Sequence, residues 1–160
     1  MTSATLPEKL NRINVLLLLL YAPDSTGRAN APIRGRTRLQ KLTFLVQQEL
    51  KKRQTKGIYS FRPFKLGPYS TEIYRDVAWL QLENVILEHI ESLSDGTNYS
   101  SFNLSAKGLD EVMKLLRNDQ WVLVYNIVSE IKKHFGNMDL EKLVDRVHRE
   151  YPDYKSGSWF

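Results

Sequence analysis

The most chemically loaded feature of the sequence is a run of cations. Between positions 28 and 65 stand Arg28, Arg34, Arg36, Arg38, Lys41, Lys51, Lys52, Arg53, Lys56, Arg62 and Lys65, against one acid, Glu49. The whole chain is only +5, so the residues outside this segment are net acidic. A block polarised in this way attracts anionic surfaces: phosphate backbones, acidic protein faces or anionic lipid. Four of the cations, Arg34, Arg36, Arg38 and Lys41, crowd the expected start of a helix, where free N–H groups and the helix dipole already favour anions. Arginine adds a planar fork that fits phosphate oxygens. Tyr59, Phe61, Phe64 and Tyr69 interleave with Lys56, Arg62 and Lys65, a mixture suited to stacking on bases, to packing on a protein, or to filling the core beneath the helix. All eleven cations are therefore candidate nucleic-acid contacts.

Bond-making chemistry finds no comparable support. The chain has no cysteine, which excludes disulfides, thiolate metal sites and cysteine nucleophiles and fits a reducing compartment. His89, His134 and His148 are scattered over different expected elements. Asp145 and His148 share a helical face, but two ligands make a poor metal site and a surface pair is the plainer reading. Neither Gly27 nor Gly35 opens a phosphate-binding loop that ends in Gly-Lys-Ser/Thr. No enzyme, cofactor, metal or small-molecule substrate is expected.

The elements that position these residues follow from periodicity. A first helix is expected over residues 7–21, with Thr5 and Glu8 in capping-box spacing. Its apolar run, Val15–Leu20, is too short for the ~20 residues of a membrane span and goes nearly all round the helix, so it reads as core. A second helix follows Thr37 to about Arg53, with Leu39, Leu42, Leu45, Val46 and Leu50 on its inner face. Residues 58–65 read as a short extended segment and Gly67-Pro68-Tyr69 as a turn. Ser70 begins a third helix reaching about Val85. The stretches 86–93 and 98–104, joined by Ser94-Asp95-Gly96-Thr97, read as a hairpin. Helices over 106–117 and 120–135 come next, the latter stopped by Gly136, and a last one is capped by Asp139.

Three helices, a hairpin and three more helices make a mainly α chain: a winged-helix core over 7–104 with its wing at about 86–104, and a helical extension over 105–160, all in one domain. One feature opposes ordinary operator reading. The expected third helix carries Glu72, Asp76 and Glu83 against Arg75, and a net negative helix is repelled by the two phosphate backbones of a groove.

Gly35-Arg36-Thr37-Arg38-Leu39-Gln40-Lys41-Leu42-Thr43-Phe44-Leu45, followed by Phe61-Arg62-Pro63-Phe64-Lys65-Leu66-Gly67-Pro68-Tyr69-Ser70, resembles the signature of the YwgA-like winged-helix family, which is similar to the Panacea domain of SocA-type antitoxins. Tyr151-Pro152 with Ser156 extends the likeness over about residues 10–156. The resemblance implies a winged-helix fold, no catalysis, and a role as antitoxin or adaptor in the related family.

The expected protein is a soluble, cytoplasmic, non-membrane binding module. It contacts DNA or another nucleic acid, in regulation or phage defence, or else covers an acidic partner protein as an adaptor. The terminal Trp159 and Phe160 are expected to pack into an apolar groove of this chain, a second copy or a partner, because two exposed rings leave ~300–500 Å² of apolar surface in water.

Overall fold

The computed structural model describes residues 5–154; the expected packing of Trp159 and Phe160 lies outside the described residues. The elements run α1 (Arg12–Tyr21), β1 (Ile33–Arg34), α2 (Arg36–Lys52), β2 (Arg62–Phe64), β3 (Gly67–Tyr69), α3 (Thr71–Leu82), β4 (Ile86–Ser92), β5 (Asn98–Leu104), α4 (Ala106–Leu115), α5 (Asp119–Phe135) and α6 (Leu140–Glu150). A short 3-10 turn, Pro152–Tyr154, follows.

Every residue from Val15 to Leu20 is buried. A helix with no polar face must be enclosed on all sides, and α4, α5 and β5 close around α1. One buried cluster takes in side chains from Val15 through Val147, so α5 and α6 share the core of the preceding elements.

The fold is a mixture of helices and sheets rather than mainly α with one hairpin. The expected hairpin is present, with β4 antiparallel to β5 from Ile86↔Leu104 to Ser92↔Asn98. It is widened by β1, which pairs with β5 through Ile33↔Phe102 and Arg34↔Ser101, so the sheet order is β1-β5-β4. A strand of two residues has no readable period, which is why the sequence pattern missed it. Gly67–Tyr69, expected as a turn, is strand β3, paired with β2 through Arg62↔Tyr69 and Phe64↔Gly67. The turn is Lys65-Leu66.

The caps also differ from expectation. α1 begins at Arg12, five residues later than expected, because Asn11 is the cap: its side chain accepts from the N–H groups of Ile13 and Asn14. α2 starts after Gly35 with no side-chain cap, and neither Ser70 nor Asp139 caps its helix through its side chain. Gly136 ends α5 in right-handed conformation, at φ −63°, without the left-handed turn expected of a terminal glycine.

Lys132 of α5 is 1% exposed and donates to the carbonyls of Leu20 (2.9 Å) and Ala31 (3.0 Å), fastening the end of α1 to the following loop. Burial pushes its ammonium down to about 7, against a smaller opposing pull from Asp24. Burial likewise lowers Lys41 to about 8. Both amines hold their protons less tightly in the folded chain than in the unfolded chain, where lysine titrates near 10.5. Between those values the unfolded state binds more protons, so stability rises with pH. Denaturant midpoints are expected to increase from about pH 7 to pH 9.5, and Lys132→Met should flatten most of that rise; a flat wild-type profile contradicts this assignment.

Candidate functional site

The connection from α2 to α3 covers residues 53–70 and contains only the two three-residue strands. Its buried backbone groups must find partners elsewhere, and the inner face of α2 supplies them. The Gln40 amide lies against Ser70 as a neighbouring strand would: Nε2 donates to the Ser70 carbonyl (2.8 Å) and Oε1 accepts from the Ser70 N–H (2.9 Å). Two turns on, Gln47 donates to the Tyr59 carbonyl (3.0 Å) and accepts from the N–H groups of Ile58 (2.9 Å) and Tyr59 (2.8 Å). Between them Lys41 Nζ donates to the Pro68 carbonyl (3.0 Å). Gly67 has φ +103°, and a Cβ there would stand 3.2 Å from His148 Nε2 and 3.3 Å from Lys41 Cε. Both conformation and space call for glycine. Residues 40–47 of α2 and residues 58–70 of the connection are thus the two sides of one clamp, which sets where α3 begins.

This clamp corrects the expectation of a continuous basic surface. Lys41 is 2% exposed and belongs to the interior. Arg38 is half-buried; its guanidinium donates to the carbonyls of Arg34 (3.2 Å), Gly136 (3.3 Å) and Met138, tying α2 to the α5–α6 junction. The other nine cations are exposed but divided. Arg34 and Arg36 flank the start of α2. Arg36 lies 3.7 Å from Glu88 and 5.4 Å from the Tyr74 ring centre. Lys65, with Lys41, lines a hollow of about 170 Å³ beside Tyr69 and Tyr74. Arg62 is on β2, and Arg28 is in the loop before β1. Lys51, Lys52, Arg53 and Lys56 lie at and beyond the other end of α2, ~24 Å away at 1.5 Å per residue over its 17 residues. Consecutive charges in sequence have become two separate groups in space.

The acidity of α3 is also deceptive. Arg12, which precedes the basic segment and drew no notice in the sequence, is ion-paired to Glu72 (2.7 Å) and Asp76 (2.9 Å). Asp76 further accepts from the Tyr59 hydroxyl (2.6 Å), and Glu72 from the Ser60 N–H (2.7 Å). The Ser60 bond leads, with Arg12, in holding the Glu72 carboxyl below its usual range. Both acids therefore look toward α1 and the α2–α3 connection. The outward residues of α3 are Thr71, Arg75, Ala78, Trp79 and Leu82, of which Trp79 is 53% and Leu82 82% exposed. Gln81 Nε2 donates to Glu88 (2.7 Å), joining this helix to β4. Ile90, two residues along the same face of that strand, is 65% exposed.

Among the described residues no three His, Asp or Glu side chains are grouped to hold a metal ion, and no helix is long and apolar enough to cross a membrane. His148 brings its ring close to Gly67, where a Cβ would meet its Nε2 at 3.2 Å, and Asp145 is exposed on the same helix. No protein-family model matches the chain, and no curated protein matches it.

Gln40→Leu leaves the Ser70 N–H and carbonyl unpaired in the interior, at ~1–3 kcal/mol each. The variant should lose ~2–5 kcal/mol in urea denaturation; a loss below ~0.5 kcal/mol shows that the clamp contributes nothing.

Proposed function

We propose that this protein is a winged-helix binding module, without a catalytic centre, that docks a partner protein through the outward face of α3 and the adjoining strand β4. The observation that carries this reading is the exposure of Trp79 and Leu82, one turn apart on the outward face of α3. Large apolar side chains gathered on a surface mark protein interfaces, and tryptophan is the residue type most enriched among those that dominate binding energy. A helix that reads a major groove offers hydrogen-bonding side chains to base edges; here Thr71 and Arg75 share their face with Trp79 and Leu82. β4 also lies at an edge of its sheet, where backbone groups remain open to an added strand.

The winged-helix assignment is supported by the order helix, strand, helix, short two-stranded insertion, helix and hairpin, with β1 laid beside β5. The lack of cysteine agrees with work in a reducing, cytoplasmic setting. An adaptor or antitoxin-like subunit is the role such a surface serves.

A second reading, nucleic-acid binding, draws on Arg34, Arg36 and Lys65, exposed around the start of α2 beside the rings of Phe64, Tyr69 and Tyr74. Such binding weakens with salt at a slope of about −0.9 per neutralised phosphate.

Co-expression with the product of a neighbouring gene, followed by size-exclusion chromatography, separates the two. The protein-docking reading expects a complex that Trp79→Ser with Leu82→Ser weakens at least ~30-fold, the effect of losing a contact worth ~2 kcal/mol. Charge reversal at Arg34 and Arg36 should leave it intact. A lone monomer that shifts duplex DNA in a salt-dependent manner, and loses that shift on the same charge reversal, establishes nucleic-acid binding instead.

A further inference from the structure

Two cations of the second group, Arg53 and Lys56, line a concavity that the α3–β4 face does not use. Leu6 and Pro7, ahead of α1, approach Leu123 and Ile127 of α5 and the turn that follows α2, enclosing a groove of about 740 Å³. An adjoining hollow of about 700 Å³ shares Glu8, Thr55 and Lys56 with it and continues past Lys9 to Ile58. Gln54, at φ +67°, makes the left-handed turn that carries the chain from α2 along this groove. Volumes of ~300–1,000 Å³ are those of sites that enclose a ligand rather than graze it.

The groove has two chemistries. Its floor is aliphatic, from Leu6, Leu123 and Ile127, all half-buried. Its rim is cationic: Lys9, Arg53 and Lys56 are exposed and form no ion pair among the described residues. Glu8 is the one acid that lines it. Cations at the end of α2 complement the helix dipole, but Lys56 and Lys9 lie outside any helix and are drawn to the same opening. A phosphate chain would satisfy the rim and leave the floor wet. A peptide that alternates carboxylates with large apolar side chains satisfies both.

We infer that this groove binds an acidic, apolar peptide segment of a partner protein. The inference rests on the reading of the chain as a protein-binding module, but on none of the residues of the α3–β4 face, so either can fail alone. With both faces occupied the protein bridges two partners.

The probe is a fluorescein-labelled peptide of roughly a dozen residues repeating Glu-Leu-Asp-Phe, titrated with the full chain at about 0.15 M salt and read by fluorescence anisotropy. The same sequence with Lys and Arg in place of its acids, and an oligothymidylate of similar length, serve as controls. Saturable binding of the acidic peptide alone is expected. Arg53→Glu with Lys56→Glu, both on exposed positions, should weaken it at least ~10-fold without moving the melting temperature, and Trp79→Ser with Leu82→Ser should leave it unchanged. No binding of the acidic peptide, equal binding of the basic peptide, displacement by the oligonucleotide, or indifference to the charge reversal overturns the inference. Loss of peptide binding in the Trp79/Leu82 variant overturns the groove as a separate site.

Discussion

An 18-residue connection with little secondary structure of its own has to satisfy its buried backbone groups, and the rest of this structure depends on how it does so. The polar side chains on the inner face of α2 act as the missing strand: Gln40 pairs with Ser70, Gln47 with residues 58 and 59, and Lys41 with Pro68. Their bonds fix Ser70, and Ser70 is the residue before α3. The direction of α3, the positions of Trp79 and Leu82 along it, and the seat of β4 beside it follow from that anchoring. A buried lysine is costly unless paired, yet here a single carbonyl and the close approach of Gly67 hold one in place. Stability is given up at Lys41 to place a backbone turn.

The same clamp redistributes charge. α2 spends Lys41 and most of Arg38 on internal carbonyls, and its length divides the remaining bases into a group near the sheet and a group near the first residues of the chain. Arg12 meanwhile absorbs Glu72 and Asp76. What reaches solvent on α3 is the apolar Trp79 and Leu82 beside Thr71 and a single base, Arg75, with Glu83 exposed at its end. Net charge over a segment measures attraction only when its side chains point the same way, and these do not.

Much of the architecture was legible. The all-round apolar run of Val15–Leu20 identified a buried helix, Asp95-Gly96 identified the hairpin turn, and the leucine spacing from Leu39 to Leu50 identified α2, which begins at Arg36, two residues before a start that follows Thr37. What stayed hidden depends on contacts distant in sequence. Glutamine at 40 or 47 has no pattern that distinguishes a backbone clamp from a surface residue, and Arg12 sits 60 positions from Glu72. β1 and β3 are too short to carry a period. The spacing of Ile73, Val77 and Leu80 marks the inner face of α3, but no pattern in the sequence shows that Trp79 and Leu82 stay uncovered by the rest of the chain.

The central claim is that the α3–β4 face is covered when the protein works. Trp79 can report on that directly once Trp121 and Trp159, the other two tryptophans, are replaced by phenylalanine. Alone, the single-tryptophan protein should emit at the long wavelengths of a ring in water. In complex with its partner the emission should shift to the blue and resist acrylamide quenching, as the ring leaves water. An assembled complex in which Trp79 still emits and quenches as it does in the free protein contradicts the account.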